Sequence, residues 1–109
     1  MKVKWTKEAR EQFKEILRYY TKRNRSASYS TRLKRDVYEL VKYFRGSPYY
    51  GTRVGDNENV RRVSFGNFVI LYEVKPKAVE IYSIRDGRRK DGYGEDSVPT
   101  PERLEDNTK

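Results

Sequence analysis

The sequence predicts an α+β domain in which a short N-terminal strand and a helical hairpin precede an antiparallel meander of three or four strands. Two patterns carry that prediction. Up to about residue 50 the apolar side chains recur every three or four positions, whereas beyond Gly51 they alternate. Helices grouped ahead of a run of strands imply a helical layer packed on one face of a sheet. Length sets the scale: 109 residues make one domain with a single modest core.

The elements follow in order. Val3-Lys4-Trp5 reads as a short strand of alternating character. Thr6 then offers an N-cap, and Glu8 places an acid in the first turn of the helix that follows. Ala9, Phe13, Ile16, Leu17 and Tyr20 form its apolar stripe to about Lys22, with Lys7, Arg10, Lys14 and Arg18 on the other face. Arg23 to Ser26 is a break. Ser26 or Ser28 is expected to cap a second helix with the stripe Tyr29, Leu33, Val37, Leu40, Val41 and Phe44, stopped by Gly46 and Pro48. Residues 52–54 suggest a short strand, and Gly55 to Asn59 a loop. Val60 to Phe65 alternates, Gly66-Asn67 signals a tight primed turn, and Phe68 to Val74 is apolar on both faces, as a central strand should be. Lys75-Pro76-Lys77 turns the chain into a last strand over 79–84. These elements place the domain in residues 1–90. Residues 91–109, rich in glycine, proline and acids, form a tail with little to bury, expected to be flexible.

Charge is divided unevenly along the chain. Residues 90–109 carry six acids and three bases, a net of −3; the whole chain is +9, so residues 1–89 carry +12. A compact basic body attracts polyanions such as RNA, DNA or an acidic protein segment. The absence of cysteine and histidine excludes a disulfide framework, a thiolate nucleophile and the usual zinc ligands, and it removes the usual acid–base agent near neutral pH. Gly46, Gly51 and Gly55 follow no phosphate-cradling pattern, and no cofactor is expected. No apolar run of signal length follows Met1, and no stretch approaches the ~20 apolar residues of a membrane span, so the expected location is the cytoplasm.

Several stretches resemble the RelE/ParE superfamily of toxins from type II toxin–antitoxin pairs. Val3-Lys4-Trp5-Thr6 with Ala9 is similar to the family's strand-to-helix start. The run from Val60 to Val74 resembles its hairpin, with arginines before the turn and Tyr72 closing the next strand. Ile81 to Ile84, followed by Asp86, Arg88 and Arg89, resembles its last strand and terminal basic cluster. The resemblance spans about residues 2–89. It implies the fold, an acidic antitoxin partner and growth inhibition. RelE-like members cleave mRNA in the ribosomal A site, whereas ParE-like members poison DNA gyrase.

An RNase of this kind must hold a 2′-hydroxyl in line with the next phosphate and stabilise the added charge, a task suited to arginine's planar fork. Arg61 and Arg62 are consecutive on a strand, so their side chains point to opposite faces and at most one faces a given site. Arg62, grouped by alternation with Val60 and Ser64, is favoured as catalytic together with Arg88. The resemblance adds Arg61, Arg89 and Tyr93 as substrate-binding groups. Glu73 and Glu80 are candidate bases, although pairing with nearby lysines at the rim is the better reading for such strand carboxylates. Val69 stands where many RelE-like nucleases carry another arginine. Positive charge and the tyrosines Tyr19, Tyr20, Tyr43, Tyr49 and Tyr50 nevertheless tilt the expectation towards ribosome-dependent mRNA cleavage. The alternatives are a gyrase inhibitor with no chemistry of its own and a non-toxic module that binds nucleic acid.

Overall fold

A computed structural model describes residues 1–87. It runs β1 (Lys2–Trp5), α1 (Lys7–Asn24), α2 (Ser28–Tyr43), β2 (Thr52–Val54), β3 (Asn57–Phe65), β4 (Phe68–Val74) and β5 (Ala78–Asp86). The five strands make one sheet in the order β1-β5-β4-β3-β2, so the strand that is apolar on both faces lies in the middle. Strands β2 to β5 form the expected antiparallel meander. The N-terminal strand joins it by lying parallel to β5, with Val3 opposite Val79 and Trp5 opposite Ile81.

Helix α1 starts as expected. The Thr6 hydroxyl accepts the Ala9 N–H at 3.0 Å, and the Thr6 N–H donates to the Ile81 carbonyl, which fixes the helix to the sheet at its first residue. The junction with α2 differs from expectation. Arg25, not a glycine, ends α1 in the left-handed region at φ 52°, while the Ser26 N–H reaches back to the Thr21 carbonyl. Only three residues separate the helices, and Ser26 spends its hydroxyl on the Ser28 N–H. The N-cap of α2 is therefore Ala27, with no side-chain cap. Gly46 is likewise not the stop: α2 ends at Tyr43, and the Gly46 N–H bonds the Tyr43 carbonyl in a following turn.

Both helices pack on one sheet face. Phe13, Ile16 and Tyr20 from α1 and Leu33, Val37, Val41 and Phe44 from α2 meet Val63, Ile70, Tyr72, Ile81 and Ile84 in the main core. Leu17, Tyr29 and Leu40 stay half-buried at its border. Phe44 stacks on Tyr72 with ring centroids 4.2 Å apart. The Tyr72 hydroxyl donates to the Pro48 carbonyl at 2.8 Å and accepts the Gly51 N–H at 2.9 Å, anchoring the α2–β2 connection. Burial raises the Tyr72 pKa, so this phenol keeps its proton. Gly51 has no room for a side chain, because a Cβ there would lie 2.8 Å from the Arg62 carbonyl oxygen.

The segment 55–59 is not a loop. Gly55-Asp56 makes the turn, with Val54 paired to Asn57, and β3 already runs from residue 57, although residues 58–60 bulge away from β2 before Arg61 meets Arg53. Gly55 and Gly66 each adopt positive φ (67° and 61°) at the first central position, as a type II′ hairpin turn requires. Tyr82 is an extra residue in β5: Leu71 pairs with Ser83 and Tyr72 with Ile81, which leaves Tyr82 as a bulge.

Candidate functional site

The sheet presents its second face away from the helices. Pairing across β3 and β4 sorts the side chains there. Arg62 lies opposite Leu71, Ser64 opposite Val69, and Val60 opposite Glu73. Val60 and Leu71 are buried and form a small second cluster with Val54 and Tyr82. Arg62 is exposed on this face, beside Ser64. Arg85, opposite Val69 on β5, belongs to the same face. Sequence reasoning passed over Arg85; the alternation of β5 was the available signal, but the bulge at Tyr82 inverts it midway. The Ser83 hydroxyl is buried here without a hydrogen-bond partner among the described residues.

Arg61 turns to the other side, as strand alternation demands. Its Nε donates to the Glu58 carbonyl at 2.8 Å and its Nη1 to the Gly51 carbonyl at 3.1 Å, and the guanidinium lies over the Tyr49 ring. The two consecutive arginines thus do not converge on one site. The remaining proposed site residues, Arg88, Arg89 and Tyr93, lie outside the described residues, as does the expected tail.

The two candidate bases are engaged. Glu80 pairs with Lys75 at 3.2 Å, as a rim carboxylate would. Glu73 accepts a hydrogen bond from Tyr82, a partner the sequence did not suggest. Desolvation, reinforced by the bond to Glu73, raises the Tyr82 pKa well above the ordinary tyrosine value. Tyr82 therefore stays protonated and donating at neutral pH.

A second concave surface lies where β1 and the two helices meet. Trp5 stacks on Phe13 at 5.4 Å, and Tyr38 meets both rings edge-on at 6.1 and 6.0 Å. These rings and Leu17 floor a groove of about 310 Å³ whose rim carries Arg10, Lys14 and Lys34. The helical stripe identified Phe13 and Leu17. Tyr38 was missed because it follows the stripe residue Val37 and lies outside the periodic pattern. Among the described residues no group of acids, histidines or cysteines could hold a metal ion, and no helix is long and apolar enough to cross a membrane.

A strand, a helical hairpin and a four-stranded meander closed by the N-terminal strand define the α+β fold of the RelE/ParE toxins. A solved structure described as the chromosomal ParDE toxin–antitoxin system from P. aeruginosa shares this fold: TM-score 0.66 at 22% identity, covering 79% of this chain and 95% of that one. No curated protein matches the sequence. The family profile described as the ParE toxin of the type II toxin–antitoxin system parDE matches residues 3–91. The chain belongs to that family, within the RelE/ParE superfamily of type II toxins.

Proposed function

We propose that this toxin inhibits growth by poisoning DNA gyrase, with no catalytic chemistry of its own, and that an acidic antitoxin neutralises it. The observation that carries this reading is the ParE family match over residues 3–91, since ParE-like toxins act on gyrase. It reverses the preference for mRNA cleavage taken from charge and tyrosines. The site geometry supports the reversal. Arg61 is committed to backbone carbonyls on the helix side, Glu73 and Glu80 are held by Tyr82 and Lys75, and the buried Val69 stands where RelE-like nucleases carry an arginine. A surface without an assembled acid–base pair suits recognition better than phosphodiester cleavage.

The antitoxin would use the groove beside Trp5. An acidic amphipathic segment can lay an aliphatic anchor on Trp5, Phe13 and Tyr38 and set its carboxylates against Arg10, Lys14 and Lys34. The basic body, +12 over residues 1–89, draws such a partner in by its long-range field.

Controlled expression in a bacterium separates the targets. DNA breaks that precede any fall in protein synthesis, and vanish in a host with resistant gyrase, are the expected result. An early halt in translation with cuts in A-site codons would restore the nuclease reading. Unimpaired growth with soluble, folded protein would leave only the non-toxic binding module.

A further inference from the structure

Three exposed tyrosines gather at the β2 edge of the sheet. Tyr43, Tyr49 and Tyr50 are 54%, 51% and 58% exposed, although large rings are normally drawn into cores. Tyr43 meets Tyr50 edge-on at 5.2 Å. Tyr49 is held by a hydrogen bond from its hydroxyl to Asn59 and by the Arg61 guanidinium 4.9 Å from its centroid. Tyr50 and Arg62 line one depression of about 460 Å³. It opens where β2 stops short: Thr52 opposite Arg62 is the last pair, and among the described residues β3 beyond it has no strand on that side.

Cations face one another at this edge. Arg53 and Arg61 are direct cross-strand partners, an arrangement in which like charges repel. Among the described residues no carboxylate pairs with Arg53, Arg61 or Arg62. Residues 40–55, which supply all three rings, contain no acid. Bringing a polyanion to this edge relieves the repulsion.

We propose that Tyr43, Tyr49 and Tyr50, with Arg53 and Arg62, form a binding platform for single-stranded nucleic acid, while Arg61 holds the Tyr49 ring in place. Bases stack on the rings, and the guanidiniums meet the phosphates. Arg53, opposite Arg61, and Arg62 lie on opposite faces of the sheet, so the platform bends around the sheet edge. A flexible strand can follow that bend; a stiff duplex cannot. Tyrosine and arginine also anchor protein interfaces, so an acidic protein is the competing occupant; the facing cations Arg53 and Arg61 and the lack of any acid over residues 40–55 favour a polyanion whose bases can stack. The proposal stands apart from the gyrase reading, because it concerns direct binding by the isolated toxin.

Fluorescence anisotropy with the full chain tests it, using labelled oligothymidine, oligouridine and a duplex of equal length. Single strands should bind more tightly than duplex. The Tyr43→Ala/Tyr50→Ala variant should lose ~tenfold or more in affinity, while Tyr43→Phe/Tyr50→Phe should keep it. Arg53→Ala should weaken binding and flatten its salt dependence more than Arg23→Ala, which removes the same charge from α1. Comparable affinity for both single strands, or a preference for either, supports the platform, and the preference identifies the natural strand as DNA or RNA. Duplex bound as tightly as single strand, with ring variants unchanged, would overturn it in favour of unspecific polyanion attraction. Polyglutamate displacing the strand, and itself losing affinity in the ring variants, would overturn it in favour of an acidic protein partner. Thermal melts confirm that each variant is folded, and the phenylalanine pair keeps the test decisive if the alanine pair is not.

Discussion

Arg25 holds a left-handed conformation that costs a side-chain-bearing residue about 1–2 kcal/mol relative to the right-handed region. Its part in ending α1 is made by its backbone, so glycine can take it over. Arg25→Gly is expected to stabilise the protein by about 1 kcal/mol, read as a raised denaturant midpoint with unchanged slope. Tyr82 makes a prediction in pH. Its pKa is raised in the fold, chiefly by desolvation, while a tyrosine in the unfolded chain ionises near about pH 10. Its contribution is therefore intact below that pH and declines above it, where the unfolded chain releases a proton that the native state retains. In thermal melts on the alkaline side, Tyr82→Phe should fall less steeply with pH than the wild type. The sequence showed the opposed faces of Arg61 and Arg62, because strand alternation is a local property. It did not show that Tyr82 would reach Glu73, which depends on a bulge and on the register of β5 against β4.

Ser26 accepts the Ser28 N–H, but helix α2 otherwise begins without a side-chain cap at Ala27 and with no acid in its first turn. Ala27→Asp supplies both an acceptor and a negative charge at the positive end of the helix. The expected gain is about 0.5–2 kcal/mol by chemical denaturation. The boundaries of both helices illustrate what sequence can carry. The apolar stripes located the helix bodies, since burial of one face sets their period. The terminators failed locally: Ser26 was adjacent to the right place but committed to its own turn, and Gly46 arrived after α2 had already ended. At the other extreme, Phe68 to Val74 was legible as the central strand because burial on both faces leaves Glu73 as its one charged position. The β2–β3 hairpin was hidden by the polar composition of 55–59, although the Gly55-Asp56 pair held the turn signal.

At the scale of the whole molecule, two concave surfaces combine cations with exposed tyrosines. The groove floored by Trp5, Phe13, Leu17 and Tyr38 carries its cations at the rim, and the β2 edge presents rings among arginines that have no carboxylate partner among the described residues. If the antitoxin occupies the groove, Tyr38→Ala should weaken toxin–antitoxin affinity ~tenfold or more by calorimetry, as loss of a buried aromatic anchor does, without changing toxicity in the absence of antitoxin. Net charge indicated a polyanionic partner from the sequence, yet it could not distinguish nucleic acid from an acidic protein, because both answer to the same field. Target choice was equally hidden, since one fold serves both toxin activities and the arginines are common to both readings. The central claim, gyrase poisoning without chemistry, is tested most directly with purified gyrase, relaxed plasmid, ATP and the full-length toxin. Linear DNA released on denaturing the enzyme, with supercoiling inhibited, is the predicted result. Normal supercoiling with no trapped breaks, together with mRNA cleavage when ribosomes are supplied, would contradict it.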